Sequence, residues 1–150
     1  MEKIIAEALR LAEKAALGGE VPIAAIIFEP KSFKIIASSH NMVETLSDPT
    51  AHAEIQTIKS ACGKLQNKYL KNLSMFVTLE PCAMCMQAIC FTQLQSLYFG
   101  AYDYKKGALS AFSGITTSRM NNFVPQIFGG FKEQECSELI TNFFKSLRND

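Results

Sequence analysis

Apolar side chains recur near the start of the chain at Ile4, Ile5, Ala8, Leu9, Ala12 and Ala16, with charges between them. That is the spacing of one helical face, so residues 2–17 are expected to form an amphipathic helix. Gly18 and Gly19 end it, since glycine is the favoured residue past a helix's last turn. Residues 21–28 are a short apolar run rich in Ile, and residues 35–38 read as a second strand joined to it through Glu29, Pro30 and Lys31. Residues 40–50 are polar and end in Asp48-Pro49-Thr50, where Asp or Thr is available to cap a helix over about 51–65. Residues 75–79 read as a buried strand that stops at Pro81, 82–91 as a short apolar helix, and 97–100 as a further strand. Residues 101–122 show no clear period and include a polar run at 118–122. Residues 123–128 are expected as a last strand, at a sheet edge because of Pro125. Residues 133–147 close the chain as a helix with Leu139, Ile140, Phe143, Phe144 and Leu147 on its apolar side.

The expected order is therefore α-β-β-α-β-α-β-(irregular)-β-α. Strands alternating with helices imply an α/β fold, a mixed sheet covered by helices on both faces. No linker, repeat or shift of composition divides the chain, so residues 1–150 are expected to form one domain.

Composition changes this picture little. Nearly half the residues are apolar and about a fifth charged, which suits a soluble globular protein of a size that needs no disulfide staple. A net charge of +1 excludes a uniform basic field, so any RNA-binding surface must be local. Five cysteines, an odd number, occur in a chain whose first residues carry charges instead of a secretory leader. No apolar run approaches the roughly 18 residues that span a bilayer, so no membrane association is expected. A reducing, cytoplasmic setting follows, in which cysteines are more often metal-binding, catalytic or buried than cross-linked.

Two clusters add chemistry, each where the chain turns into a helix. His52-Ala53-Glu54 opens one helix and Pro81-Cys82-Ala83-Met84-Cys85 opens the next. Cys82 and Cys85 are three apart, so in a first helical turn their sulfurs share one side and can chelate one ion. A helix N-terminus lowers a thiol's pKa and favours the thiolate that binds metal. His52 supplies a third, neutral ligand. Three protein ligands leave a fourth position for water, the pattern of catalytic zinc, whereas structural zinc sites are closed by four. Zinc lowers the pKa of its water to about 7, making hydroxide available at neutral pH. Glu54, two residues from His52, can take a proton from that water and hand it to a leaving amine. The pattern H-x-E…P-C-x-x-C is the known signature of nucleobase deaminases. A C-x-x-C alone is often redox-active or structural, and a lone His is usually a satisfied polar residue; their combination and order point to catalysis. Cys62, about 15 Å along its helix from His52, and Cys90, off the Cys82/Cys85 side, read as small core residues, as does Cys136.

Several stretches resemble the bacterial tRNA-specific adenosine deaminases, within the cytidine-deaminase-like zinc deaminases, and they run nearly end to end. They are Gly19-Glu20-Val21-Pro22-Ile23, His40-Asn41, DPTAHAEI from Asp48, VTLEPCAMC from Val77, Phe99-Gly100-Ala101, and residues 135–148. The resemblance implies a three-layer α-β-α cytidine-deaminase-like fold with a five-stranded mixed sheet and a homodimer with active sites near the subunit interface. It implies one Zn²⁺ per subunit on His52, Cys82 and Cys85, Glu54 as proton shuttle, and no nucleotide cofactor. The implied reaction is hydrolytic deamination of adenosine to inosine at the wobble position of a tRNA anticodon stem-loop. Asn41 would then hydrogen-bond the flipped base, with Val21, Pro22 and Ile23 walling the pocket. Asp103 and Lys105 would approach the anticodon backbone, and Phe143, Phe144, Lys145 and Arg148 would face RNA. Tyr102 departs from the family, which often has a basic or small residue there. Two alternatives stay open: deamination of a free guanine- or cytosine-type base or nucleoside on the same scaffold, and a non-catalytic structural-zinc module.

Overall fold

The first helix, α1 (Glu2–Leu17), buries Ile4, Ile5, Ala8, Leu11, Ala12 and Ala15, the face its periodicity marks out. It stops where Gly19 takes φ +80°, a conformation that only glycine adopts freely. The Gly19 and Glu20 amides donate to the Ala16 and Ala15 carbonyls at 3.0 and 2.9 Å, a paired C-terminal cap. That cap delivers Glu20 to a fixed, buried position.

The computed structural model describes residues 1–111, 114 and 123–148; the polar run at 118–122 lies outside the described residues. After α1 come β1 (Ala24–Glu29), β2 (Lys34–His40), α2 (Val43–Leu46), α3 (Ala53–Leu65), β3 (Ser74–Leu79), α4 (Ala83–Thr92), β4 (Ser96–Ala101), β5 (Gln126–Phe128) and α5 (Glu133–Arg148). The five strands form one sheet in the order β2-β1-β3-β4-β5. β1 is antiparallel to β2 and β3, while β3, β4 and β5 run parallel, so the sheet is mixed as expected.

Alternation along the central strands divides the core. Ala25 and Ile27 of β1, Met75 and Val77 of β3 and Leu97 of β4 pack with Ala53, Ala61, Met86 and Ile89, on the side of α3 and α4. Ile26, Phe28 and Phe76 point the other way, against Ile4, Ile5 and Ala8 of α1. Helix α5 packs beside α1, and Cys136 fits against Gly100, where a Cβ would lie 2.3 Å from its sulfur. The result is the α-β-α sandwich. Among the described residues no helix is long and apolar enough to cross a membrane.

Three local expectations are corrected. Residues 21–23 are not strand: Pro22 has no N–H to offer, and the Ile23 amide closes a tight turn on the Val21 carbonyl at 2.8 Å. Residues 40–50 contain the four-residue α2, too short to show a period. Asp48 does not cap α3; its carboxylate binds the Thr50 amide and hydroxyl at 2.8 and 2.7 Å, closing a turn, and His52 occupies the cap position. β5 is an edge strand as Pro125 suggested, though it covers only residues 126–128.

Candidate metal centre and substrate cleft

The helices α3 and α4 begin at one point, beyond the carboxyl end of β3. Each has a residue of extended backbone at its N-cap, His52 (φ −66°, ψ 153°) and Cys82 (φ −70°, ψ 171°), and neither side chain is used as a cap. Both are therefore available to each other. Cys85 follows one turn into α4 and is fully buried.

His52 Nδ1 lies 3.6 Å from Cys82 Sγ and 3.5 Å from Cys85 Sγ. All three ligand atoms are within 4.8 Å of one another, forming a group able to hold a metal ion. Bonds of about 2.0–2.1 Å to nitrogen and 2.3 Å to sulfur at tetrahedral angles give an N···S edge of about 3.6 Å. Both edges match that value, so the residues fit zinc in geometry and in donor type. Cys62 and Cys90 are outside the group: Cys90 is buried and Cys62 half-buried against the core on the α3/α4 side, as their spacing suggested.

Charge in this cluster is unevenly held. The hydrogen bond from Cys85, aided by His52, holds the Cys82 thiol down to about 4. The same bond, with burial, pushes the Cys85 thiol far up. The His52 ring is raised, chiefly through its hydrogen bond with Cys82. Two converging helix N-termini favour the negative charge that results. Glu54, in the first turn of α3, is 4% exposed, and burial pushes its carboxyl up to about 7. A carboxyl near neutrality can both accept and return a proton.

His52, Glu54 and Cys82 face a cleft of about 1050 Å³. Asn41, Val21 and Ile23 line one wall, while Pro22 is buried behind them and does not reach the cleft. Asp103 and Lys105 stand at the rim with Tyr102, Tyr104 and Lys106. Phe143 and Phe144 both line the cleft, packed edge to face at 5.4 Å, with Ile140 and Leu147. The apolar side of α5 is thus divided: Cys136 and Leu139 meet the body of the protein and the remainder borders the cleft. Lys145 and Arg148 do not line it; both are exposed, and Arg148 Nε binds the Phe144 carbonyl.

Two buried carboxylates escaped the sequence reading of the site. Glu20 accepts from Asn41 Nδ2 at 3.0 Å, from the Thr45 amide at 2.7 Å and from the Glu44 amide at 3.3 Å. Burial opposes its charge, but these bonds prevail and hold the carboxyl below its usual range. A carboxylate accepts only, so the Asn41 amide must present its NH₂ group to Glu20. Glu80 accepts from the Asp103, Leu109 and Ser110 amides at 2.8–2.9 Å and from the Ser110 hydroxyl at 2.7 Å. It fastens residues 103–110 to the strand end that carries Cys82. The one signal for both in the sequence is an acidic residue set against apolar neighbours, in Gly19-Glu20-Val21 and Leu79-Glu80-Pro81.

The geometry can be set beside known proteins. The family profile of the MafB19-like deaminases matches residues 1–148. A tRNA-specific adenosine deaminase of Aquifex aeolicus is 43% identical over 150 residues, covering 99% of this chain and 97% of its own. That of Haemophilus influenzae is 39% identical, covering 99% and 86%. A structure solved in a study of A-to-I editing by tRNA:A34 deaminases superposes with a TM-score of 0.88 at 36% identity, covering 93% of this chain and 99% of that one. By profile, by alignment along its length and by fold, the chain belongs to the MafB19-like deaminases and to the family of the tRNA-specific adenosine deaminases.

Proposed function

We propose that this protein converts adenosine to inosine at the wobble position of a tRNA anticodon by hydrolytic deamination. The observation that carries the reading is the three-ligand group and the buried Glu54 at the bottom of one cleft, in a chain aligned end to end with deaminases of that name.

In this reading His52, Cys82 and Cys85 hold one zinc ion. When bound, zinc supplies a Lewis acid that makes water a competent nucleophile at neutral pH. Glu54 takes protons from the attacking water and returns them. A C–O bond forms at the amidine carbon of adenine and the C–N bond to the exocyclic amine breaks. One proton of the water ends on the departing ammonia and the other on the adjacent ring nitrogen, which leaves Glu54 as it began. Asn41, held by Glu20, positions the base, and Val21 and Ile23 wall it, with Pro22 fixing the turn between them. A base must leave its stack to reach such a site, which costs least for a loop nucleotide. Asp103, Lys105 and Phe144 at the rim meet the RNA. Asp103 Oδ1 already accepts the Lys105 and Lys106 amides at 3.0 Å, so it also shapes the turn that presents those lysines. The protein acts in the cytoplasm as a homodimer, which sedimentation would check.

The test is inosine formation by zinc-loaded protein on an anticodon stem-loop with adenosine at the wobble position. Ammonia release from free adenine, guanine, adenosine and cytidine is followed alongside. Glu54→Gln should keep stoichiometric zinc and lose at least about 10²-fold in turnover. Ammonia from a small molecule with none from the stem-loop would transfer the assignment to a free-base deaminase. Undiminished function in Glu54→Gln would make the zinc structural.

A further inference from the structure

The rim of the cleft carries an aromatic pair whose outer ring, Tyr104, packing does not explain. Tyr104 is 75% exposed and lies parallel to Tyr102, with ring centroids 6.0 Å apart and 19° between the planes. Tyr102 is anchored in turn. Its ring meets buried Phe99 edge to face at 5.0 Å, and its hydroxyl lies so close to Gly129 that a Cβ there would come within 2.8 Å. The three rings form a ladder from the core to the mouth of the cleft, and both tyrosines line that cleft together with Glu54 and His52.

The backbone beneath the tyrosines is ordered in advance. Glu80 holds the Asp103 amide from behind, and the Asp103 carboxylate ties the amides of Lys105 and Lys106. Gly107 lies against Glu80, where a Cβ would fall 2.3 Å from the carboxyl carbon. The protein thus buries a carboxylate to fix a turn that displays an aromatic face beside two exposed lysines. An exposed ring next to cations suits a planar group next to phosphates. An unpaired nucleobase in a single-stranded loop is such a group.

We propose that the Tyr102–Tyr104 pair is a stacking platform for the base adjoining the nucleotide that enters the cleft. The proposal rests on the RNA-loop reading above and names a contact within it. Tyr104 takes the base on its open face, Tyr102 supports the ring from behind, and Lys105 and Lys106 meet the neighbouring phosphates. The platform accepts any base, so it contributes affinity and register but little sequence preference.

The experiment uses full-length, zinc-loaded protein and anticodon stem-loops with 2-aminopurine at either nucleotide flanking the wobble adenosine. Binding by wild type should quench the probe at one of the two positions. Tyr104→Leu should abolish that quenching and weaken binding about tenfold, within the range of one stacking contact, while Tyr104→Phe restores both. On a stem-loop abasic at that position, wild type and Tyr104→Leu should bind alike. Equal binding of the intact loop by wild type and Tyr104→Leu overturns the proposal, as does an equal difference on the abasic loop. Conversion of a dimer to monomer by Tyr104→Leu would also overturn it, giving the ring to a second copy. Quenching without inosine would sink the deaminase assignment and leave the platform standing; inosine without quenching would do the reverse. No binding of any stem-loop would sink both.

Discussion

Glu54 and Cys82 each hold a proton balance far from that of the unfolded chain, in opposite senses. For Glu54 the folded value is about 7 against 4.5. A carboxyl raised on folding favours the native state while protonated, so its contribution is full below about pH 4.5 and is lost as pH rises through 7. Glu54→Gln removes that dependence and leaves the thiols in place. The stability of metal-free wild type relative to metal-free Glu54→Gln should therefore fall between pH 5 and pH 8, by at most about 1.4 kcal/mol per unit. Denaturant titrations at four pH values would measure it; a difference that rises with pH would contradict it. Cys85 remains protonated beside the Cys82 thiolate, so zinc uptake at pH 7 should release at least that one proton. Calorimetry in buffers of different ionisation enthalpy counts it. At this scale the His52, Cys82 and Cys85 group was legible, because H-x-E and P-C-x-x-C fix donor type, order and helical spacing at once. Glu20 and Glu80 were not, because the amides they satisfy lie 23 to 30 residues away along the chain.

Elements with a long apolar period were the ones the sequence located best. α1, α4 and α5 agree with expectation to within a residue or so at each end. The misplaced boundaries share a cause: local polar chemistry had more than one use there. Asp48 can cap a helix or close a turn on Thr50, and only the position of His52 against Cys82 decides between them. Val21 and Ile23 suit a strand, yet Pro22 between them cannot donate to a ladder. The segment 103–110 had no period because its order comes from Glu80 and not from its own sequence. Gly107→Ala tests that dependence. Its Cβ would lie 2.4 Å from Glu80 Oε1 and 2.5 Å from the Asp103 carbonyl, so the turn must move. We expect a loss of about 1–3 kcal/mol and faster amide exchange at Leu109 and Ser110. An unchanged exchange pattern would separate the turn from the carboxylate.

Across the whole molecule, basic and acidic charge nearly cancel, and a small basic group lies about the mouth of the cleft. The net charge is +1, while Lys105 and Lys106 line the cleft and Lys145 and Arg148 lie on the helix that borders it. These four cations can neutralise at most about four phosphates, so if they alone meet the RNA the logarithm of stem-loop affinity should fall with log salt at a slope of about −3 or shallower. Lys105→Ala should reduce that slope by roughly 0.7 and weaken binding to all loop sequences alike. A slope near −8 would require basic residues beyond these four to meet the RNA. The architecture itself was readable from the alternation of strands and helices. The parallel pairing of β4 with β5 was not, since a three-residue strand carries too little pattern to assign a direction.

The convergence of α3 and α4 has a consequence for the life of the protein in air. Two sulfurs within 4.8 Å, one a ready thiolate and the other its proton donor, make a dithiol that an oxidant can close into a disulfide. Zinc and oxidation then compete for the same pair of atoms. Chelator-treated protein exposed to peroxide should lose two titratable thiols and refuse zinc until a reductant is added, whereas zinc-loaded protein under the same exposure should keep both. Mass spectrometry of the peptide containing Cys82 and Cys85 would tell the two fates apart, and it would show the metal acting as a guard for the site as well as its instrument.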